Sequence, residues 1–356
     1  MARRRPPFEI DGVRVPPGER RTVQLDVAQL YTHTPVGMPV HVVHGRREGP
    51  TLCLSAAIHG DEIAGIEIIR RVLAQPDLRR LRGTLLAVPI VNVFGVLAQT
   101  RYLPDRRDLN RSFPGSASGS LAARLASLFT TQVLERASHA IDLHTGTAHR
   151  ANLPQIRANL DDPDARAMAR AFSAPVIINS DLRDGSLRHA ADERGIPVLL
   201  YEAGEALRFD EDCIRLGVRG IVGTMRQLGM LPPVKRKHAP RRPVQVESTR
   251  WVRAEGSGIL RTTVQLGQHV RPDERLGLIS DPFGEGETEA RADFNGIVIG
   301  RTNLPLVHEG DALFHVARVR YPERASEVVE ELADAEGDGE APGSEAEGRA
   351  PGSDPP

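Results

Sequence analysis

The chain has 356 residues, 40% hydrophobic and 26% charged, with a formal net charge of −1. That length suits one large domain with a sizeable core plus something smaller, and the balance excludes a globally basic nucleic-acid binder or a lipid-surface protein. Two cysteines, Cys53 and Cys213, are too few for a disulfide framework, and neither has a partner at metal-ligand spacing.

The charge is uneven. From Glu323 onward the chain carries 11 acidic residues against two basic ones, so the preceding body is mildly basic. Lys235 and Lys237 are the only lysines, and every other cation is arginine, a bias that fits genomic base composition. The basic N-terminus lacks the apolar stretch of a secretory signal. No run approaches the ~18 apolar residues of a membrane span. A soluble, cytoplasmic protein is expected.

In chain order, "PTLCLSAAI" reads as a buried strand and "EIAGIEIIRRVLAQ" as the helix after it. "GTLLAVPIV" is a second buried strand, "SLAARLASLFTTQVLERA" a helix, and "HAIDLHTG" a short strand entering a turn. "DARAMARAFSA" is helical, "PVIINS" extended, "SLRHAADERG" helical, "IPVLLYEAGE" a strand, and "DEDCIRLGVRGIVGTMRQLGML" a closing helix. Apolar strands alternating with helices predict an α/β domain with a mostly parallel or mixed sheet covered on both faces. "PPVKRKHAPRRPV" reads as a linker. Beyond it, short extended runs alternate with glycine turns, as in a small all-β module. The Glu-, Asp-, Gly-, Pro- and Ala-rich end is expected to be disordered. The expected organisation is an N-terminal extension (1–24), a catalytic domain (25–231), a linker (232–246), a β domain (247–320) and an acidic tail (321–356).

The chemistry gathers where strands end, the usual site position in α/β sheets. His59 and Glu62 in "HGDE" follow the first buried strand. If the helix begins near Asp61, both side chains converge on one point. An imidazole and a carboxylate suit zinc, which takes N and O ligands at ~2.0–2.2 Å and needs a third protein ligand for catalysis. His144, ending "IDLHTG", is the best third candidate. The remaining histidines, His315 among them, read as surface or satisfied core residues. In "RYLPDRRDLNRSFPG", Asn110 and Arg111 offer a fork of donors for a carboxylate, and Arg101 can polarise a carbonyl. Glu202, ending "LLYE", is a carboxylate at a buried strand end, which must be paired, metal-bound or functional. Beside a metal-bound water it would be a general base.

"HGDE", "DLNR", "DLHTG" and "YEAGE", in that order, resemble the succinylglutamate desuccinylase/aspartoacylase family, a branch of the zinc carboxypeptidase superfamily. The resemblance spans roughly residues 25–231. It implies a carboxypeptidase-like mixed sheet of about eight strands and one zinc per chain. It implies that His59, Glu62 and His144 are the zinc ligands, Glu202 the base, and Asn110 and Arg111 the clamp on the substrate's α-carboxylate. Asp108 looks like the carboxylate that orients His59, and Arg101 like the arginine on the scissile carbonyl. The implied activity is amide hydrolysis of a small-molecule N-acyl amino acid. The alternatives are a metallocarboxypeptidase acting on short peptides and a non-catalytic binding protein. No nucleic-acid or membrane partner is expected, and a homo-oligomer is allowed. The β module further resembles a biotinyl/lipoyl hammerhead in which "DFNG" stands where a carrier lysine would lie, hence a structural lid. Arg183 and Arg188 are candidates for reading an acidic acyl group, and Glu205 for reading a cationic side chain.

Overall fold

The computed structural model describes residues 5–234, 243–322 and 325–327. Most of the expected linker and nearly all of the acidic tail lie outside them. A hairpin of β1 (Phe8–Ile10) and β2 (Val13–Val15) precedes two long strands, β3 (Arg20–Gln29) and β4 (Pro35–His44). The catalytic region then runs β5 (Arg47–Ala56), α1 (Ala64–Leu73), β6 (Arg82–Val88), α2 (Val93–Ala98), α3 (Leu121–Gln132) and β7 (His139–Gly146). It continues with β8 (Arg150–Ala158), α4 (Pro163–Phe172), β9 (Val176–Asn179), α5 (Leu187–Asp192), β10 (Val198–Glu205) and α6 (Glu211–Gln227). The last region is all strand: β11 (Val244–Arg253), β12 (Gly258–Thr262), β13 (His269–Val270), β14 (Arg275–Ser280), β15 (Glu287–Arg291), β16 (Gly296–Thr302), β17 (Leu306–Val307) and β18 (Ala312–Val319).

The helices begin where the sequence supplies caps. Ser120 accepts from the Ala123 N–H at the start of α3, Asp162 caps α4 with Pro163 in its first turn, and Asp210 caps α6. Strands β10, β7, β5 and β6 form a parallel core, and their buried runs on both faces are what a doubly covered sheet requires. On one face α1, α4 and α6 bury Ile68, Ile69, Met168, Phe172 and Ile214. On the other, α3 and α5 bury Leu125, Phe129, Leu187 and Ala191.

The α/β architecture is as expected, but the sheet is larger. Twelve described strands join in the order β13-β16-β18-β11-β9-β8-β10-β7-β5-β6-β4-β3. The additional strands come from both ends of the chain. Strand β3 starts at Arg20, inside the expected N-terminal extension, and β11 starts at Val244, inside the expected linker. Strand β11 adds parallel to β9, and β16 also pairs with β8. Strands β8, β9, β11, β18 and β16 thus close on themselves as a five-membered ring. Its surroundings bury Leu153, Val176, Ile178, Val246, Ile297 and Ile299. Strands β15, β14, β12 and β17 form a separate four-stranded sheet. Both cysteines are buried and free.

Candidate active site

The parallel register places His144 beside Glu202 on β7 and β10, and β5 delivers its chain end next to β7. Helix α1 begins at Ala64, later than the expected start near Asp61. His59 and Glu62 therefore meet across a turn, closed by the Glu62 N–H donating to the His59 carbonyl at 3.1 Å. The turn packs tightly. A Cβ at Gly60 would lie 1.9 Å from the Gly95 carbonyl carbon and 2.3 Å from the Val96 nitrogen. Those are backbone atoms in the middle of α2 and have nowhere to go. Gly60→Ala should lower stability by about 1–3 kcal/mol through overpacking. A thermal melt matching the wild type would show that the loop yields freely.

His59, Glu62 and His144 are all buried, and a ligand atom from each lies within 4.8 Å of the others. Both imidazoles turn Nδ1 toward Glu62, His59 to Oε1 at 2.8 Å and His144 to Oε2 at 2.7 Å. Both turn Nε2 toward a carboxylate, His59 to Asp108 at 3.1 Å and His144 to Asp142 at 2.7 Å. Asp142 is itself held by the Ser55 hydroxyl at 2.7 Å, and Asp108 accepts the Asn110 N–H at 2.8 Å. With each Nε2 proton committed to a carboxylate, Nδ1 is the nitrogen left to bind a metal.

The charges agree with this reading. Burial alone would lower the pKa values of His59 and His144. For His59 the Glu62 and Asp108 carboxylates overcome it, and for His144 Asp142 and Glu62 do, so both are raised. Burial likewise opposes charge on Glu62, yet the two imidazoles hold it well below the carboxylate range. The pocket is built for positive charge, which a divalent cation on two imidazoles and a carboxylate would supply. The donor set fits zinc.

These residues line a cavity of about 410 Å³ together with Arg101, Asn110, Arg111, Asp142, Arg157, Arg183, Arg188, Glu202, Thr249, Trp251 and His315, among others. The residues expected at the site reach it except Asp108, which stands behind His59, and Glu205. Arg101 does not point freely into the space. It donates to Glu62 at 3.2 Å and to Asp108 at 2.9 Å. The Asn110 side-chain oxygen accepts the Leu187 N–H at 2.9 Å, and Arg111 donates to the Asn110 carbonyl at 2.6 Å. Glu202 accepts from Arg157 Nε at 2.6 Å. Glu205 lies outside the cavity lining and binds Asn303 at 2.8 Å. A larger cleft of about 890 Å³ lies by the opposite ends of β5 and β6. Arginines such as Arg46, Arg79 and Arg82 line it, and the candidate metal ligands do not.

Sequence reasoning missed four residues here. Asp142 was legible, since two residues apart on a strand places it on the same face as His144. Arg157 sits on β8, a strand whose interrupted pattern "RANLPQIRA" gave no clear period. Trp251 and His315 come from the C-terminal strands, which read only as a lid. His315, expected to be a surface or satisfied core histidine, is 4% exposed, and its Nδ1 has no hydrogen-bond partner.

A parallel core with a buried His–Glu–His cluster at its strand ends defines an α/β protein organised around a candidate metal centre. Residues 48–228 match the succinylglutamate desuccinylase/aspartoacylase catalytic domain. A curated relative, the N-alpha-acetyl-L-2,4-diaminobutyric acid deacetylase of Halomonas elongata, is 30% identical over 298 residues, covering 80% of this chain and 86% of that protein. A solved succinylglutamate desuccinylase/aspartoacylase from Rhodobacter sphaeroides is 26% identical with a TM-score of 0.76, covering 85% of this chain and 96% of that one. The product-bound ectoine utilization protein EutE (DoeB) of Ruegeria pomeroyi is 25% identical with a TM-score of 0.75, covering 84% of this chain and 95% of that one. The chain belongs to the succinylglutamate desuccinylase/aspartoacylase family. Among the described residues no helix is long and apolar enough to cross a membrane.

Proposed function

We propose that the protein is a zinc-dependent hydrolase of the amide bond in a small N-acyl amino acid. The observation that carries this reading is the buried His59–Glu62–His144 cluster sharing one cavity with Glu202. His59, Glu62 and His144 would hold the ion, with Asp108 and Asp142 fixing the two imidazoles. When bound, zinc supplies a Lewis acid and lowers the pKa of its water to about 7. Glu202 takes a proton from the attacking water and returns it to the leaving amine. Asn110 and Arg111 hold the α-carboxylate, so that attack is effectively intramolecular. Arg101, anchored by Glu62 and Asp108, turns its remaining N–H groups to the carbonyl oxygen as charge develops there. The C-terminal strands narrow the cavity through Thr249, Trp251 and His315, which favours small substrates over peptides. We read the four-stranded sheet as the hammerhead-type part of that module.

The test combines metal analysis with a substrate panel on one purified sample. About one zinc per chain is expected, with chelator-sensitive release of a free amino acid from N-acyl substrates. Cleavage confined to short peptides would replace this reading by a carboxypeptidase.

A further inference from the structure

The cleft of about 890 Å³ lies away from the metal cluster, and seven arginines and a single carboxylate, Glu19, line it. The path of the chain explains the crowding. Arg47 and Arg82 open β5 and β6 and are register partners on these parallel strands, which sets like charges side by side at a cost to stability. Arg79 and Arg80 end the short helical turn Pro76–Arg80 that leads into β6. Arg46 just precedes β5 and lies across the turn at Gly18, where a Cβ would come within 2.8 Å of its Nε. Arg5 donates to the Gly45 and Gly83 carbonyls, each at 2.8 Å, and to the Thr84 hydroxyl at 3.0 Å. It thereby ties together the segments that carry these arginines.

Counter-charge is scarce there. Arg46, Arg47, Arg79, Arg80 and Arg82 are exposed, and their guanidiniums have no hydrogen-bond or ion-pair partner among the described residues. Arg20 donates only to the Leu73 carbonyl, at 3.2 Å. Glu19 is paired with Arg21 at 3.5 Å, and Glu48 reaches Arg5 at 3.9 Å. Asp77 is taken by Arg226 at 2.8 Å, and the Arg226 Nε is buried without a partner. Elsewhere on the surface, arginines such as Arg194, Arg215 and Arg261 each meet a carboxylate, so an arginine-rich composition does not by itself produce this arrangement. No tryptophan, tyrosine or phenylalanine among the described residues lines the cleft, which leaves no platform for the stacked bases of a single-stranded nucleic acid. What remains is a set of guanidinium forks, the geometry that suits phosphate oxygens.

We propose that this cleft is a binding site for a compact anion of linked phosphates, either a free polyphosphate or the phosphate tail of a nucleotide. A single phosphate would leave most of the arginines unmatched, whereas linked phosphates bring several charges within reach of them at once. Binding offsets the mutual repulsion of the arginines, so the ligand stabilises the fold. The proposal does not rest on the hydrolase reading.

Calorimetric titration of the full-length, zinc-loaded protein at a fixed ionic strength of about 0.15 M tests it. Tripolyphosphate is compared with ATP, orthophosphate, sulfate and citrate. Zinc content is followed throughout, because linked phosphates also bind the ion, and that contribution is shared by every variant. Tripolyphosphate should bind more tightly than orthophosphate, sulfate or citrate and should raise the melting temperature. ATP binding as well as tripolyphosphate assigns the site to a nucleotide's tail, and much weaker binding of ATP assigns it to a free polyphosphate. Arg79→Ser and Arg82→Ser should each weaken tripolyphosphate about tenfold. Neither side chain has a partner to lose, so the unliganded melt and the hydrolysis rate should stay at the wild-type level. Arg215→Ser, which removes an exposed arginine outside the cleft, should leave the affinity unchanged. Tripolyphosphate bound no better than sulfate, tighter binding of citrate, or undiminished affinity in the doubly substituted R79S/R82S protein would overturn the proposal. An equal loss in Arg215→Ser would also overturn it, by reducing the effect to net charge.

Discussion

Glu202→Gln should keep zinc at the wild-type level and lose about 10²- to 10⁴-fold in kcat, the range typical of a positioned general base. The glutamine amide is isosteric, and its oxygen can still accept from Arg157, so the wall keeps its shape. What disappears is the ability to take a proton from water and return it to the amine. Glu202 is suited to that exchange by its place on β10, level with His144 and open to the cavity. Arg157 keeps the carboxylate aimed while holding only one of its oxygens, Oε2. Steady-state kinetics with metal analysis on the same preparation decides the matter. A metal-replete variant within twofold of the wild-type rate would remove Glu202 from the proton path.

The second large effect is expected from His144→Ala. Zinc content should fall from about one per chain to near zero, and activity with it. Stability should fall as well, by about 3–5 kcal/mol, because removing one member of a buried charged cluster leaves its partners uncompensated. Glu62 would lose its 2.7 Å contact, and Asp142 would keep only Ser55. Metal analysis and a thermal melt, each with and without chelator, separate the two consequences. A variant retaining stoichiometric zinc would mean that the ion sits elsewhere.

What the sequence made legible has a physical pattern. His59, Glu62, His144 and Glu202 stand out because each breaks an apolar run at a strand end, so local order alone marks them. Asn110, Arg111 and Asp108 were visible as a polar cluster in a loop, though only the resemblance to a family gave them roles. Arg157 and His315 were hidden because their meaning is tertiary. Each meets a partner far away in sequence, Glu202 on β10 for Arg157 and Trp251 on β11 for His315. The size of the sheet was hidden for the same reason. A single strand's pattern says that it pairs, not with what, and β11, β16 and β18 each find a partner far away in sequence. The helix start was misplaced by a few residues because Gly60, Asp61 and Glu62 form a turn that positions a ligand rather than a first helical turn.

The ring of β8, β9, β11, β18 and β16 has a consequence for how selectivity can be altered. A module that merely rested on a catalytic domain could be exchanged as a block, carrying its preferences with it. Here the C-terminal strands complete hydrogen-bond ladders begun by β8 and β9. Removing them would leave β9 a bare edge and unpair the start of β8 at 150–152, and bare edges invite association with other chains. The residues that shape the far wall are therefore inherited together with the sheet. New preferences have to be reached by single exchanges at positions such as 251 and 315, within a frame that does not come apart.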